Sequence, residues 1–300
     1  MPLKNEDTRS DDFIRQVFIM SRTLRIDTVV VQTDTSDDFI RINSFRGREK
    51  IVWLTTQFQG RNIHPEPPDE LLTLSLDSIR GSAIRSMGLL LACLRGIILP
   101  DEKILCLYSS IAGKEPDSMT ITRPRDRLRI IRKMDMETIG RLFAPEVFIR
   151  LVNILTRFAT EGREGRPIGT IFVLGDPGKL MPYLKEMILN PCKGHPPELR
   201  NVFNNSFFET LRELSALDGA FVIDSRGIVE SAGVYLSAPE KPTILSQGLG
   251  ARHAAAAAIT EHADCITMVL SESSGKITIF HEGEALFEIE LHQDREWRFA

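Results

Sequence analysis

The chain has 300 residues, 42% of them hydrophobic and 26% charged, and a formal net charge of −4 at neutral pH. That is the composition of a globular protein with length for two domains, and it excludes the collagen-like and disordered classes. A mildly acidic chain has no overall attraction for phosphate polymers or anionic membranes, so nucleic-acid binding is not expected and any anion site must be local.

In chain order, the polar start MPLKNEDTRSDDF carries no apolar signal core, and Phe13, Ile14, Val17 and Phe18 fit a short amphipathic helix. DTVVVQT, KIVWLTT and ELLTLSL predict strands, GSAIRSMGLLLACLRGIIL a helix, and EKILCLYSS and SMTITRP two more strands. Strands interleaved with helices predict an α/β domain on a mostly parallel sheet. The longest apolar stretch, GLLLACLRGIILP, is cut by Arg95 and stopped by Pro100, so no membrane span and a cytoplasmic protein are expected. Cys93, Cys106, Cys192 and Cys265 are widely spaced with no CxxC, which predicts reduced core thiols and not a zinc site. The basic run RPRDRLRIIRK at 123–133 is interrupted by Asp126, and Leu128, Ile130 and Ile131 give it a buried side, so it reads as a solvated linker or connecting strand. The domain boundary is placed there, with domains at 1–127 and 128–300.

After Pro145, apolar residues from Val147 to Phe158 recur at helical spacing, and GREGRP ends that helix. IGTIFVLGDPGK predicts a strand and turn, and LMPYLKEMIL a helix with Pro182 in its first turn. NNSFFETLRELSAL predicts another helix, capped by Asn205 or Ser206 with Glu209 reaching back. GAFVID, GIVESAGVYL, an alanine helix, CITMVLSES, KITIFHEG and EALFEIEL follow. The second domain is therefore predicted to be a mixed sheet flanked by helices.

Three stretches carry chemistry. VLGDPGKLM is not a phosphate loop: Gly175 and Gly178 are too close and Leu180 stands where the hydroxyl should be. In LDGAFVID, Asp218 follows a helix and enters an apolar strand, with Gly219 and Ala220 leaving room for another molecule; a carboxylate there can bind a divalent cation or accept a proton from a hydroxyl. In GLGARHAAAAAIT, Gly248 and Gly250 permit a turn into a helix whose free N–H groups and positive dipole end suit phosphate. Arg252 adds bidentate donors at that mouth, and His253 is expected to touch phosphate or to orient a group that does. In MVLSESSGK, Ser271 and Glu272 end a strand and supply polar groups.

LDGAFVID, AGVYL, GLGARHAAAAAIT and VLSESSGKITIF, in this order, resemble the motifs of the diadenylate cyclase family, whose members join two ATP into the second messenger cyclic di-AMP. The resemblance spans roughly 135–290, and Met187–Pro196 is similar to its archaeal-type branch. It implies that Asp218 assists deprotonation of the ribose 3′-hydroxyl and, with Glu272, holds Mg²⁺ or Mn²⁺. It implies that Gly219 and Ala220 admit the nucleotide, that Tyr235 and Leu236 lie near adenine, that Gly250, Ala251, Arg252 and His253 cradle the triphosphate, and that Ser271 and Glu272 contact phosphate or metal. It also implies a homo-oligomer, at least a dimer, because one subunit holds one ATP. The family's usual third motif residue, Arg, is Ala254 here; Lys276 could replace that cation, and the alternative is a weak or inactive nucleotide sensor. EKILCLYSSIAGKEPDSMTIT resembles the C-terminal domain of pyruvate kinase, which implies an assembly or regulatory role, and assembly is expected because no basic or Ser/Thr-rich phosphate pocket is legible in it. No helix-hairpin-helix segment follows residue 290, so no DNA-scanning role is expected.

Overall fold

The computed structural model describes residues 4–34, 36–56, 70–74, 82–110, 115–134, 136–238 and 250–290. The chain divides into two compact units, Met1–Arg132 and Lys133–Ala300.

The first unit runs α1 (Lys4–Thr23), β1 (Thr28–Gln32), α2 (Ser36–Asn43), β2 (Lys50–Thr55), β3 (Leu71–Thr73), α3 (Ser82–Leu94), β4 (Ile104–Tyr108) and β5 (Ser118–Thr122). The strands lie in the order β3-β2-β1-β4-β5, all pairs parallel except β4–β5. A sheet covered on both faces needs strands apolar on both sides, and VVV in β1 and IVWL in β2 are buried throughout. On one face Ile14, Val17 and Phe18 of α1 and Phe39 and Ile42 of α2 close over Val29, Val31, Trp53 and Leu105. The basic run at 123–133, expected as a solvated linker or connecting strand, forms two short helices, α4 (Pro124–Arg127) and α5 (Arg129–Lys133). Pro124 pre-sets the first helical turn, and burial of Leu128, Ile130 and Ile131 holds the segment down.

The second unit runs α6 (Met136–Leu142), α7 (Pro145–Glu161), β6 (Thr170–Gly175), α8 (Pro177–Leu180), β7 (Leu184–Glu186), α9 (Phe207–Leu214), β8 (Ala220–Ile223), β9 (Val229–Leu236), α10 (Ala251–His262), β10 (Cys265–Leu270), β11 (Ile277–His281) and β12 (Glu284–Ile289). The sheet order is β12-β11-β10-β6-β8-β9-β7, with β6–β8 parallel and the other pairs antiparallel. Alternation along β6 and β8 divides two cores. Phe172 and Phe221 meet edge to face, and Phe172 reaches Phe158 of α7. Ile171, Val173, Ala220 and Val222 face the other way, onto Ala256, Ala257 and Ile259 of α10. Methyl side chains let α10 lie close to the sheet while keeping high helix propensity. Among the described residues no helix is long and apolar enough to cross a membrane.

Two local expectations fail here. LMPYLKEMIL is not a helix: α8 stops at Leu180, Met181–Tyr183 make one 3-10 turn, and Leu184–Glu186 become the edge strand paired with β9. Pro182 has no N–H to continue the helical ladder, and pairing with Val234–Leu236 satisfies the following backbone instead. The capping contact at α9 is also absent. Ser206 is itself helical in φ and ψ and makes no side-chain cap, the Asn204 side chain accepts from its amide at 3.0 Å, and Glu209 pairs with Arg212.

Candidate functional site

The sheet register brings the chemically active stretches to one edge. Because β6 and β8 are parallel, with Ile171 opposite Ala220, the residues entering both strands lie side by side. Because β10 is antiparallel to β6, with Leu270 opposite Thr170, the exit of β10 lies at that same edge. Asp218 precedes β8, Gly169 precedes β6 and Glu272 follows β10. The first turn of α10 meets them and completes a cleft of about 930 Å³.

Arg252 is the centre of this cleft. Its Nη1 donates to Glu272 Oε2 at 3.0 Å and its Nη2 to Asp218 Oδ1 at 3.3 Å, so one guanidinium spans both carboxylates. The Asp218 side chain is 77% exposed and that of Glu272 55%, so both remain open to a ligand. The helix mouth is uncapped by any side chain: Gly250 is extended and makes no cap bond, leaving its free amides available to phosphate.

Gly250, Ala251, Arg252, His253, Ser271 and Glu272 line the cleft with Asp218. Ser271 also organises the turn it opens: its amide donates to Lys276 O at 2.9 Å and its carbonyl accepts from Gly275 at 2.9 Å. Lys276 is in the cleft wall, with Nζ 2.7 Å from Glu288 Oε2, so its charge already has a partner. Gly219, Ala220, Tyr235 and Leu236 are not among the lining residues. Ala220 and Leu236 are closed in the core, whereas Tyr235 is 55% exposed beside Lys185 of the edge strand. Gly219 has φ +114°, and a side chain there would meet Gly233 and Val234 backbone under 3 Å, so glycine is required to turn the chain from Asp218 into β8. Gly248 lies outside the described residues.

His253 is 8% exposed and packs edge-on against Phe280, with ring centroids 6.0 Å apart. Burial lowers its pKa below the usual imidazole value of 6.5, and Lys276 and Arg252 push the same way against Glu288. It is therefore a neutral wall residue at neutral pH and adds no second positive charge to the helix mouth. The folded state resists a proton that the unfolded chain accepts near pH 6.5, so the stability His253 contributes is fully present above that pH and is lost as pH falls towards its lower folded value. We expect His253→Gln to flatten this part of the curve, seen as a smaller drop in melting temperature between pH 7.5 and 5.5 than in the wild type.

Sequence reasoning missed Gly169. A Cβ built there would lie 2.6 Å from Arg252 Nη1 and 2.9 Å from Glu272 Cβ, so the guanidinium lies against the bare backbone of this glycine. The available signal was a glycine at the mouth of a buried strand, which marks close approach by another group.

Among the described residues no group of three or more His, Cys, Asp or Glu forms a metal cage. Asp218 and Glu272 nevertheless offer exposed hard oxygens on either side of the cleft. That donor set fits a magnesium-type cation, which keeps waters and draws its other ligands from substrate phosphates.

Residues 157–285 match the family model described as "DisA bacterial checkpoint controller nucleotide-binding". A diadenylate cyclase of Methanocaldococcus jannaschii is 32% identical over 209 residues, 68% of this chain and 65% of that protein, so the chain spans just under two thirds of this relative. A diadenylate cyclase of Haloferax volcanii is 31% identical over 201 residues, 65% of this chain and 71% of that protein. A pyruvate kinase structure from Cryptosporidium parvum covers 38% of this chain at 15% identity and a TM-score of 0.32, too low to carry an argument about either unit.

Proposed function

The chain belongs to the diadenylate cyclase family, and from that premise we propose that it condenses two ATP into cyclic di-AMP and two pyrophosphates. The observation that carries this reading is the Arg252 guanidinium held between Asp218 and Glu272 at the mouth of α10. Without nucleotide, the two carboxylates hold the guanidinium in place. An arriving triphosphate offers Arg252 a stronger bidentate partner, and transfer of the guanidinium to phosphate releases Asp218 and Glu272.

The freed Asp218 then accepts a hydrogen bond from a ribose 3′-hydroxyl and takes its proton as the oxygen attacks the α-phosphorus of a second ATP; the bond to pyrophosphate breaks as the new phosphodiester forms. Arg252 and the free amides of α10 stabilise charge on the departing phosphates. Magnesium or manganese, held by Asp218 and Glu272, would neutralise phosphate charge when bound. The main contribution of the chain is positioning and fixed charge, which dominate catalysis of phosphoryl-type transfer.

One cleft holds one ATP, so two chains must face each other for ring closure. We expect specific activity to fall on dilution through the dimer dissociation range, measured beside the mass of the particle; full activity in an isolated monomer would overturn the two-chain arrangement. A second reading, a nucleotide sensor of low activity, draws support from Ala254 and from the engagement of Lys276 with Glu288. Incubation with ATP and Mg²⁺ or Mn²⁺, with products resolved by mass, separates the two: cyclic di-AMP with pyrophosphate supports the enzyme, and bound but unconverted ATP supports the sensor. Arg252→Ala is expected to weaken ATP binding by about 10- to 100-fold, as the loss of a charge-assisted pair would. Unchanged affinity by calorimetry would remove Arg252 from the phosphate site.

A further inference from the structure

We infer that β5 is the seam of a homodimer: its outer edge pairs antiparallel with β5 of a second copy of this chain, about a two-fold axis at Thr120. Strand edges are ordinarily closed to such pairing by shortness, charge, proline or a bulge. The other sheet edges of this chain are closed in those ways. β3 and β7 are three residues long, with Lys185 and Glu186 in β7, and β12 carries Glu284 and Glu288. β5 has none of these devices. Its sequence, SMTIT, is uncharged and rich in strand formers, and it keeps unbroken register with β4 from Ser118 to Thr122. Alternate residues of an antiparallel strand turn their N–H and C=O groups away from the neighbour. Among the described residues no strand pairs with that outer side of β5.

None of the β5 residues is fully buried. Met119 and Ile121 lean on the core beneath α1 and α2, yet both stay partly exposed. The stretch PDSMTITRP, residues 116–124, then decides what covers them, because it is complementary to its own reverse. With Thr120 opposite Thr120 of the second copy, Met119 faces Ile121, Ser118 faces Thr122 and Asp117 faces Arg123, each pairing occurring twice by symmetry. Asp117 and Arg123 are both exposed, and the Ser110 amide fixes the Asp117 carboxylate at 2.7 Å. Pro116 and Pro124 come next on either side and end the ladder, since neither has an N–H to give.

On one face the Met119–Ile121 pairs continue the apolar core across the seam; on the other, Ser and Thr hydroxyls stand opposite one another. Sliding the centre to Met119 would set Asp117 against Ile121, and sliding it to Ile121 would set Arg123 against Met119. Apolar match and charge match therefore choose the same register. A dimer joined in this way keeps two C-terminal units tethered and raises the effective concentration of one cleft for the other. The seam itself is argued from the N-terminal unit alone, so it stands or falls apart from the cyclase reading.

Disulfide formation between full-length chains tests this register. Facing residues of an antiparallel pair have Cα atoms about 4.5–5.5 Å apart, within disulfide reach, whereas Ser118 and its own copy would lie roughly 13 Å apart along the seam. The native Cys93, Cys106, Cys192 and Cys265 are all buried and do not compete. A mixture of Ser118→Cys and Thr122→Cys chains under a mild oxidant should therefore give a covalent dimer, and either variant alone should not. Adding Arg123→Asp to both chains sets like charges opposite each other and should slow this reaction by at least ~10-fold, and adding Asp117→Arg as well should restore it to within about threefold. The position before α4 accepts aspartate as a helix cap, so Arg123→Asp is expected to fold. No covalent dimer from the mixture, equal yields from either variant alone, or a rate indifferent to Arg123→Asp would each overturn the proposal.

Discussion

Asp218→Asn is expected to lower cyclic di-AMP formation by about 10³-fold, within the range that a positioned general base contributes, while ATP binding stays intact. The Asp218 side chain is 77% exposed and among the described residues it is held by Arg252 alone, at 3.3 Å, so replacing one oxygen by an amide leaves packing untouched. The substitution removes the group that accepts the 3′-hydroxyl proton and one of two oxygen ligands for a divalent cation. It also removes a negative charge beside the phosphates, so affinity for ATP should hold or rise. That split, turnover lost and binding kept, is what a structural role for Asp218 could not produce. Product yield by mass spectrometry and ATP affinity by calorimetry measure the two quantities separately. Undiminished turnover would take the proton-accepting role away from Asp218.

Much of this was readable from residue order because the relevant signals are local. The β-branched run at 28–31 and the apolar run at 51–54 make strands wherever a sheet can cover both faces, and the stripe from Val147 to Phe158 has one helical solution. The helix mouth at Arg252 was legible because a structural start favours Ser, Asp or Asn, and this chain puts glycine and arginine there.

What failed depended on partners distant in sequence. Leu184–Glu186 pairs with residues 234–236 some fifty positions away, and no local pattern announces that edge strand. The Arg-rich run at 123–133 looked solvated because its charges dominate, yet three apolar side chains and Pro124 decide its shape. His253 lines the cleft beside Arg252, and the part of its environment that residue order does not announce is the ring contact with Phe280 of β11. The proximity of Tyr235 and Leu236 to a nucleotide is implied by the resemblance alone, and neither is among the residues lining the cleft.

Gly169 carries the last expected result, because it tests whether the bare backbone beneath Arg252 matters. An alanine Cβ would sit 2.6 Å from Arg252 Nη1, and the end of that long side chain can swing away; the Glu272 Cβ at 2.9 Å is bound to its own backbone and moves less easily. The guanidinium must then leave at least one of its carboxylates, and the cleft loses the cation at the mouth of α10. Gly169→Val adds two more methyl groups in the same direction and should reduce turnover by about 10²-fold, since displacements near 1 Å at a reacting centre cost that much. If Gly169 acts through Arg252, the effects of the two positions will not add: Gly169→Ala should lower ATP affinity in the wild-type background and change it little in Arg252→Ala. Equal losses in both backgrounds would mean that the glycine serves the fold of the β6 entry and not the placement of the guanidinium.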